Sequence, residues 1–155
     1  MTGPTRADGT PIEVLLVEDD PGDVLMTREA FEEHKVGNRL NVVSDGVDAL
    51  AYLRKEEPYQ GAVRPDLILL DLNLPRRDGR EVLAEIKNDS SLRQIPVVVL
   101  TTSQAEADIA RSYELHANAY VIKPIDAAKF ADAIKQIDEF FLILMRQPQH
   151  APRLS

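Results

Sequence analysis

Side chains able to do chemistry stand immediately after short apolar runs in this chain. Glu18-Asp19-Asp20 follows Ile12–Val17, Ser44-Asp45 follows Leu40–Val43, and Asp71 follows Leu67–Leu70. Thr101-Thr102-Ser103 follows Val97–Leu100, and Lys123-Pro124 follows Tyr120–Ile122. Where such ends meet, the carboxylates of Glu18, Asp19 and Asp71, the Thr101 hydroxyl and Lys123 would share a rim. Clustered carboxylates repel and raise each other's pKa unless a cation intervenes. A hard divalent cation with oxygen ligands relieves that repulsion, and Mg²⁺ is the natural choice because it keeps positions open for a phosphate. Lys123 would add a point charge for phosphoryl oxygens, and Thr101 a hydroxyl donor. Phosphoryl transfer needs mainly positioning and charge neutralisation. A carboxylate can itself be the nucleophile, giving an aspartyl phosphate.

Each of these residues also has a plainer explanation. Acidic residues at strand ends often cap the next helix, and that reading suits Asp20, Asp45, Asp78 and Asp126. It suits Asp71 less well. Asp71 lies between Leu70 and Leu72, where a carboxylate needs a partner to offset its desolvation. A lysine before proline is usually solvated, and Lys123 gains weight only from the other strand ends that converge with it.

The elements that must position these groups follow from periodicity. The five apolar runs are rich in Val, Ile and Leu, the habit of strands buried on both faces of a parallel sheet. Helical patterns separate them. The first follows Asp20, with Pro21 at its first position and Val24, Leu25 and Phe31 toward a core. The second follows Asp45, with Val47, Leu50, Ala51 and Leu53 inward, and the third follows Asp78, with Val82, Leu83 and Ile86. Ser103 and Glu106 form a capping-box pair for the fourth. The fifth opens at Asp126 and runs to about Met145. Strand and helix alternating five times predicts a doubly wound α/β domain, whose ligands bind beyond the carboxyl ends of the strands. Glu56–Pro65 lacks periodicity and carries two prolines, so it is expected to be a long surface loop.

Composition narrows the function. The 155 residues are 44% hydrophobic, enough for one core. With no cysteine, thiolate metal sites and thiol nucleophiles are excluded, and a reducing cytoplasmic setting is expected. A net charge of −8 argues against direct binding to nucleic acid or an anionic membrane. No apolar run is long enough to span a bilayer. Residues 1–11 read as a flexible leader, 12–146 as the domain, and 147–155 as a disordered tail. Helix five takes most of the residues after Pro124, so an effector domain of about 50 residues is not expected.

This pattern resembles the receiver domain of two-component response regulators. The matching pieces are Leu16-Val17-Glu18-Asp19-Asp20, Leu69–Pro75 with Asp78-Gly79, Val99-Leu100-Thr101-Thr102, and Ala119–Pro124. Thr101 lies 30 positions and Lys123 52 positions after Asp71, as in that family. The likeness covers about Ile12 to Met145. It implies a flavodoxin-like sheet in the order 2-1-3-4-5 with helices on both faces. It implies that Asp71 is the phosphoacceptor, that Asp19 binds Mg²⁺ directly and Glu18 mainly through water, and that the Asn73 carbonyl is a further ligand. Lys123 and Thr101 would contact the phosphoryl group, and Tyr120 would be an aromatic switch. The donor would be a phosphohistidine on a sensor histidine kinase. A narrower resemblance, to small single-domain regulators paired with phytochrome-type histidine kinases, rests on Asp71–Lys87, Val97–Ser103 and the long loop before strand three. The segment between Asp19 and Asp71 and the last helix are both longer than in a minimal receiver.

Helix five carries an apolar stripe of Phe130, Ile134, Ile137, Phe141 and Leu144, which core packing explains. Phe140, Leu142, Ile143 and Met145 widen it beyond one core face, and homodimerisation there is expected unless the tail covers them. Three other functions compete for the acidic rim. A phosphohydrolase of the haloacid dehalogenase kind wants a second Asp two positions after the nucleophile, where Asn73 stands. A nucleotide or flavin binder wants a Gly-rich turn after strand one, where Glu-Asp-Asp-Pro stands. A phosphorylation-independent adaptor stays open, with the complete acidic set against it, as does relay of the phosphoryl group to a second histidine.

Overall fold

A strand that is apolar at nearly every position is stable when layers cover it on both sides. That is the situation of β1 (Ile12–Val17), β3 (Leu67–Asp71) and β4 (Val97–Thr101), which β2 (Asn38–Val43) and β5 (Ala119–Ile122) flank at the two edges. The five form one parallel sheet in the order β2-β1-β3-β4-β5. The computed structural model describes residues 11–33, 38–74, 78–102, 104–105, 107–108, 117 and 119–123. Every residue of β1, β3 and β4 is buried. Alternate residues feed two cores. Leu15, Val17, Ile68, Leu70, Val97 and Val99 face one side, and Val14, Leu16, Leu67, Leu69, Val98 and Leu100 face the other.

The helices cover both faces. Helix α1 (Pro21–Glu33) brings Phe31 to the second core, while α2 (Gly46–Arg54) and α3 (Gly79–Asn88) bring Leu50, Leu53, Val82, Leu83 and Ile86 to the first. A short 3-10 turn, Leu92–Gln94, leads into β4. The doubly wound α/β architecture and its 2-1-3-4-5 order are those expected. Capping follows the sequence as well. Asp45 accepts from the Asp48 N–H at the start of α2, and Asp78 from the Arg80 N–H at the start of α3. The Asp20 carbonyl accepts from the Val24 N–H, the first turn of α1.

Two expected core positions are exposed instead. Leu25 is 56% exposed and Val47 43% exposed. Each residue rotates a helix by about 100°. In α1 the inward face is Val24, Thr27 and Phe31, so Leu25 points well away from it. In α2 the inward stripe is Gly46, Ala49, Leu50, Tyr52 and Leu53. Val47 falls on the far side of that stripe, and Ala51 is half-buried. The expected set for α3 is buried throughout.

Glu56–Pro65 forms neither helix nor strand, as expected, but it is anchored. Lys55, with φ 56°, closes α2 in the left-handed conformation. Beyond it the Tyr59 ring packs on Tyr52 at 5.5 Å between centroids. The one acidic residue inside β1, Glu13, is buried and is held by the Arg39 and Asn41 side chains of the neighbouring β2, each at 3.3 Å. Residues 104–105 and 107–108 are helical. Ser103, Glu106, helix five from Asp126, residues 1–10 and the tail lie outside the described residues, and with them the expected dimer surface. Among the described residues no helix is long and apolar enough to cross a membrane.

One backbone approach sets the geometry above β3. A Cβ placed on Gly79 would overlap the Asp71 carbonyl oxygen and meet Leu72 Cα at 2.6 Å. The Gly79 N–H also donates to the Leu72 carbonyl at 3.1 Å. Gly79→Ala is therefore expected to cost about 2 kcal/mol, because backbone must move to admit the methyl group. Urea unfolding measures this, and a loss below ~0.5 kcal/mol would show that α3 shifts freely away from β3.

Candidate functional site

The strand register places the chemistry-bearing residues. Val17 pairs with Val43 and Leu70, Asp71 with Leu100, and Thr101 with Ile122, so the carboxyl ends of the strands are level. The ladder continues one residue beyond most of them. The Glu18 N–H donates to the Val43 carbonyl at 3.0 Å, Leu72 to Leu100 at 2.9 Å, and Lys123 to Thr101 at 2.6 Å. Glu18, Asp71 and Lys123 thus project from backbone that the sheet holds, which gives them better definition than loop residues have.

The side chains converge on the Lys123 ammonium. Its Nζ lies 2.7 Å from Glu18 Oε1, 2.9 Å from Asp23 Oδ2 and 3.0 Å from Asp71 Oδ2. The Lys123 side chain is 8% exposed, and those of Glu18 and Asp71 are 1% and 3% exposed. An ammonium has three N–H donors, and here each has a carboxylate to meet. Burial alone would lower the Lys123 pKa, but hydrogen bonds to Glu18, Asp23 and Asp71 outweigh it and hold the group well above the usual lysine range. Burial pushes the Glu18 carboxyl up to about 7; Lys123 opposes that shift, and the nearby Asp71 carboxylate reinforces it. One cation does not balance this many acidic groups.

The remaining oxygens are also assigned. Glu18 Oε2 accepts from the Asp20 N–H at 3.1 Å, which ties it to the start of α1. Asp71 Oδ1 accepts from the Asn73 N–H at 2.9 Å, so the chain turns back over the carboxylate. The Asn73 side chain is exposed and donates to Thr102 Oγ1 at 3.3 Å. Thr101 is fully buried at the end of β4. Tyr120 is half-buried against the α2/α3 core, its hydroxyl accepting from the Ala117 N–H at 3.4 Å.

Among the described residues, Glu18, Asp19 and Asp71 each offer a carboxylate oxygen within 4.8 Å of the others. Glu18 and Asp71 are buried and Asp19 is exposed, so the group is walled on one side and open on the other. The donors are hard oxygens that carry excess negative charge, and they fit a hard divalent cation. The structure therefore brings together Glu18, Asp19, Asp71 and Lys123, with Asn73 and Thr101 on the adjoining strand ends.

Sequence alone does not single out Asp23. An acid in the first turn of a helix is ordinary there, because it meets the positive end of the helix dipole. The available signal is density, since Glu18, Asp19, Asp20 and Asp23 exceed what one cap needs. Gly79 is legible as part of a motif but without a task. The reason it must be glycine is the approach of β3, which no local pattern reveals.

Comparison with known proteins agrees with this geometry. The response regulator receiver domain family matches residues 14–135. The response regulator Rcp1 of Synechocystis sp. is 44% identical over 138 residues, covering 89% of this chain and 94% of that protein. The crystal structure of the phosphorylated cyanobacterial phytochrome response regulator RcpA superposes with a TM-score of 0.75 at 50% identity, covering 86% of this chain and 95% of that one. The Mn²⁺-bound form of Rcp1 superposes with a TM-score of 0.74 at 45% identity, covering 85% and 95%. With its sheet order, its acidic rim and these likenesses, the chain belongs to the response regulator receiver domain family.

Proposed function

We propose that the protein is a response regulator that takes a phosphoryl group on Asp71 from the phosphohistidine of a sensor histidine kinase, in a Mg²⁺-dependent reaction. The observation that carries this reading is the buried meeting of Glu18, Asp71 and Lys123 beside the exposed Asp19. Glu18, Asp19 and Asp71, with the Asn73 carbonyl, would hold the Mg²⁺. Bound there, the ion would neutralise charge on the phosphoryl oxygens during transfer. An Asp71 oxygen bonds to phosphorus as the P–N bond breaks, and the electron pair of that bond stays with the donor imidazole. Lys123 then trades its contact with Asp71 for one with the phosphoryl oxygens, and Thr101 supplies a hydroxyl. Water later cleaves the acyl phosphate, returning Asp71 and inorganic phosphate.

The output follows from two-state packing. Thr101, drawn toward the phosphoryl group, would free space for Tyr120 and bias the surface of the fourth helix, β5 and the fifth helix. Homodimerisation through the fifth helix is part of the same proposal. So are a cytoplasmic location and a working unit of residues 12–146 between a leader and a tail. A phytochrome-type kinase is the partner we favour, because the similar proteins named above include a phytochrome response regulator.

Incubation with Mg²⁺ and acetyl phosphate, read by intact mass, should add one phosphoryl group to the wild type. Asp71→Asn and an EDTA control should gain none. If neither acetyl phosphate nor a phytochrome-type kinase labels the wild type, the phosphorylation-independent adaptor takes its place. A second expectation concerns charge. Lys123→Met leaves buried Glu18 and Asp71 without their cation, which should cost about 3–5 kcal/mol in EDTA. Saturating Mg²⁺ should recover much of that loss, so the difference in Tm between variant and wild type should shrink when the metal is added. An equal difference with and without Mg²⁺ would place the metal elsewhere.

A further inference from the structure

The three carboxylates around Lys123 are not equivalent. Glu18 and Asp71 belong to the group whose oxygens lie within 4.8 Å of one another, and Asp23 stands outside it. A divalent cation bound by Glu18, Asp19 and Asp71 would compete with Lys123 for two of the three carboxylates its ammonium now contacts. The contact it does not contest is the one with Asp23 Oδ2 at 2.9 Å. Without that contact, metal loading would leave a buried ammonium facing a divalent cation with its own partners withdrawn, which is costly.

Asp23 is placed for this task. It sits in the first turn of α1, which starts where the Asp20 N–H is bonded to Glu18. Its own carbonyl accepts from the hydroxyl of the fully buried Thr27 at 2.8 Å. The Asp23 side chain is thus carried by a helix packed on the sheet, and it reaches across to the residue that follows β5. Attraction to the helix dipole accounts for an acid at this position but not for its contact with a lysine from the other side of the sheet's rim.

We propose that Asp23 is a positioning residue that retains the Lys123 ammonium while the divalent cation occupies Glu18 and Asp71, so that metal and lysine share the site. The proposal rests on the metal reading given above. It makes Asp23 a determinant of metal affinity although it is not a ligand.

The test is Mn²⁺ binding to the full chain, read from the loss of the free-ion paramagnetic resonance signal. Asp23→Asn should weaken binding about fivefold, and in a Lys123→Met background the same change should have less than about a twofold effect, the coupling expected of residues that act together. Equal weakening in both backgrounds would reduce Asp23 to a distant charge and overturn the proposal, as would no weakening in either. A second readout leaves Lys123 unchanged. The Nζ resonance of Lys123 in the Mn-free, Mg²⁺-loaded protein should show faster proton exchange in Asp23→Asn than in wild type, and an unaltered rate would overturn the proposal. Asp19→Asn separates the two levels of inference. If that variant binds Mn²⁺ as well as wild type, the metal reading itself fails and Asp23 loses its role with it.

Discussion

A single ammonium held among buried carboxylates is the constraint on which this site depends. Lys123 lies within 3.0 Å of Glu18, Asp23 and Asp71, and it is buried together with Glu18 and Asp71. Charges taken from water need partners, and a partner removed leaves a cost of several kcal/mol. The site is also over-acidic, since Asp19 adds a fourth carboxylate at the open side. Excess negative charge of this kind fits a divalent cation, and the lysine offsets part of it. The upward displacement of the Glu18 pKa to about 7 expresses the same frustration.

The parallel sheet makes this arrangement possible. Five strands running in one direction deliver their carboxyl ends to one rim, and their ladders extend to Glu18, Leu72 and Lys123. The apolar bodies of β1, β3 and β4 are buried on both faces, so the positions of Glu18, Asp71 and Thr101 are tied to the packing of two cores. Gly79 adds a local condition. Its missing side chain lets α3 begin against the backbone of Asp71 and Leu72, which couples the position of Asp71 to a helix on the α2/α3 face.

Much of this is legible along the chain because the relevant forces are local or periodic. Runs such as VVVLT and LILLD are best satisfied by burial on both faces, and the polar residues that end them, Thr101 and Asp71, are the ones less suited to a core. Asp45 and Asp78 act as caps through bonds within a few residues, so their role is readable too. Leu25 and Val47 are misplaced for a related reason. Apolar character says that a residue would gain from burial, while the phase of the helix against the sheet decides whether it is buried, and that phase is set by neighbours distant in sequence.

What the sequence by itself determined is the class of fold, the order of its elements, and the identity of Glu18, Asp19, Asp71 and Lys123 as the residues at the strand ends. Hydrophobic periodicity and charge are properties of adjacent residues, and they act before any tertiary contact exists. Tertiary structure alone decided that Asp23 turns toward Lys123, that Gly79 must lack a side chain, and that Leu25 faces outward. Each of these depends on a distance between segments far apart in the chain. Such distances emerge only when sheet, helices and buried charges are packed together, and no local pattern encodes them.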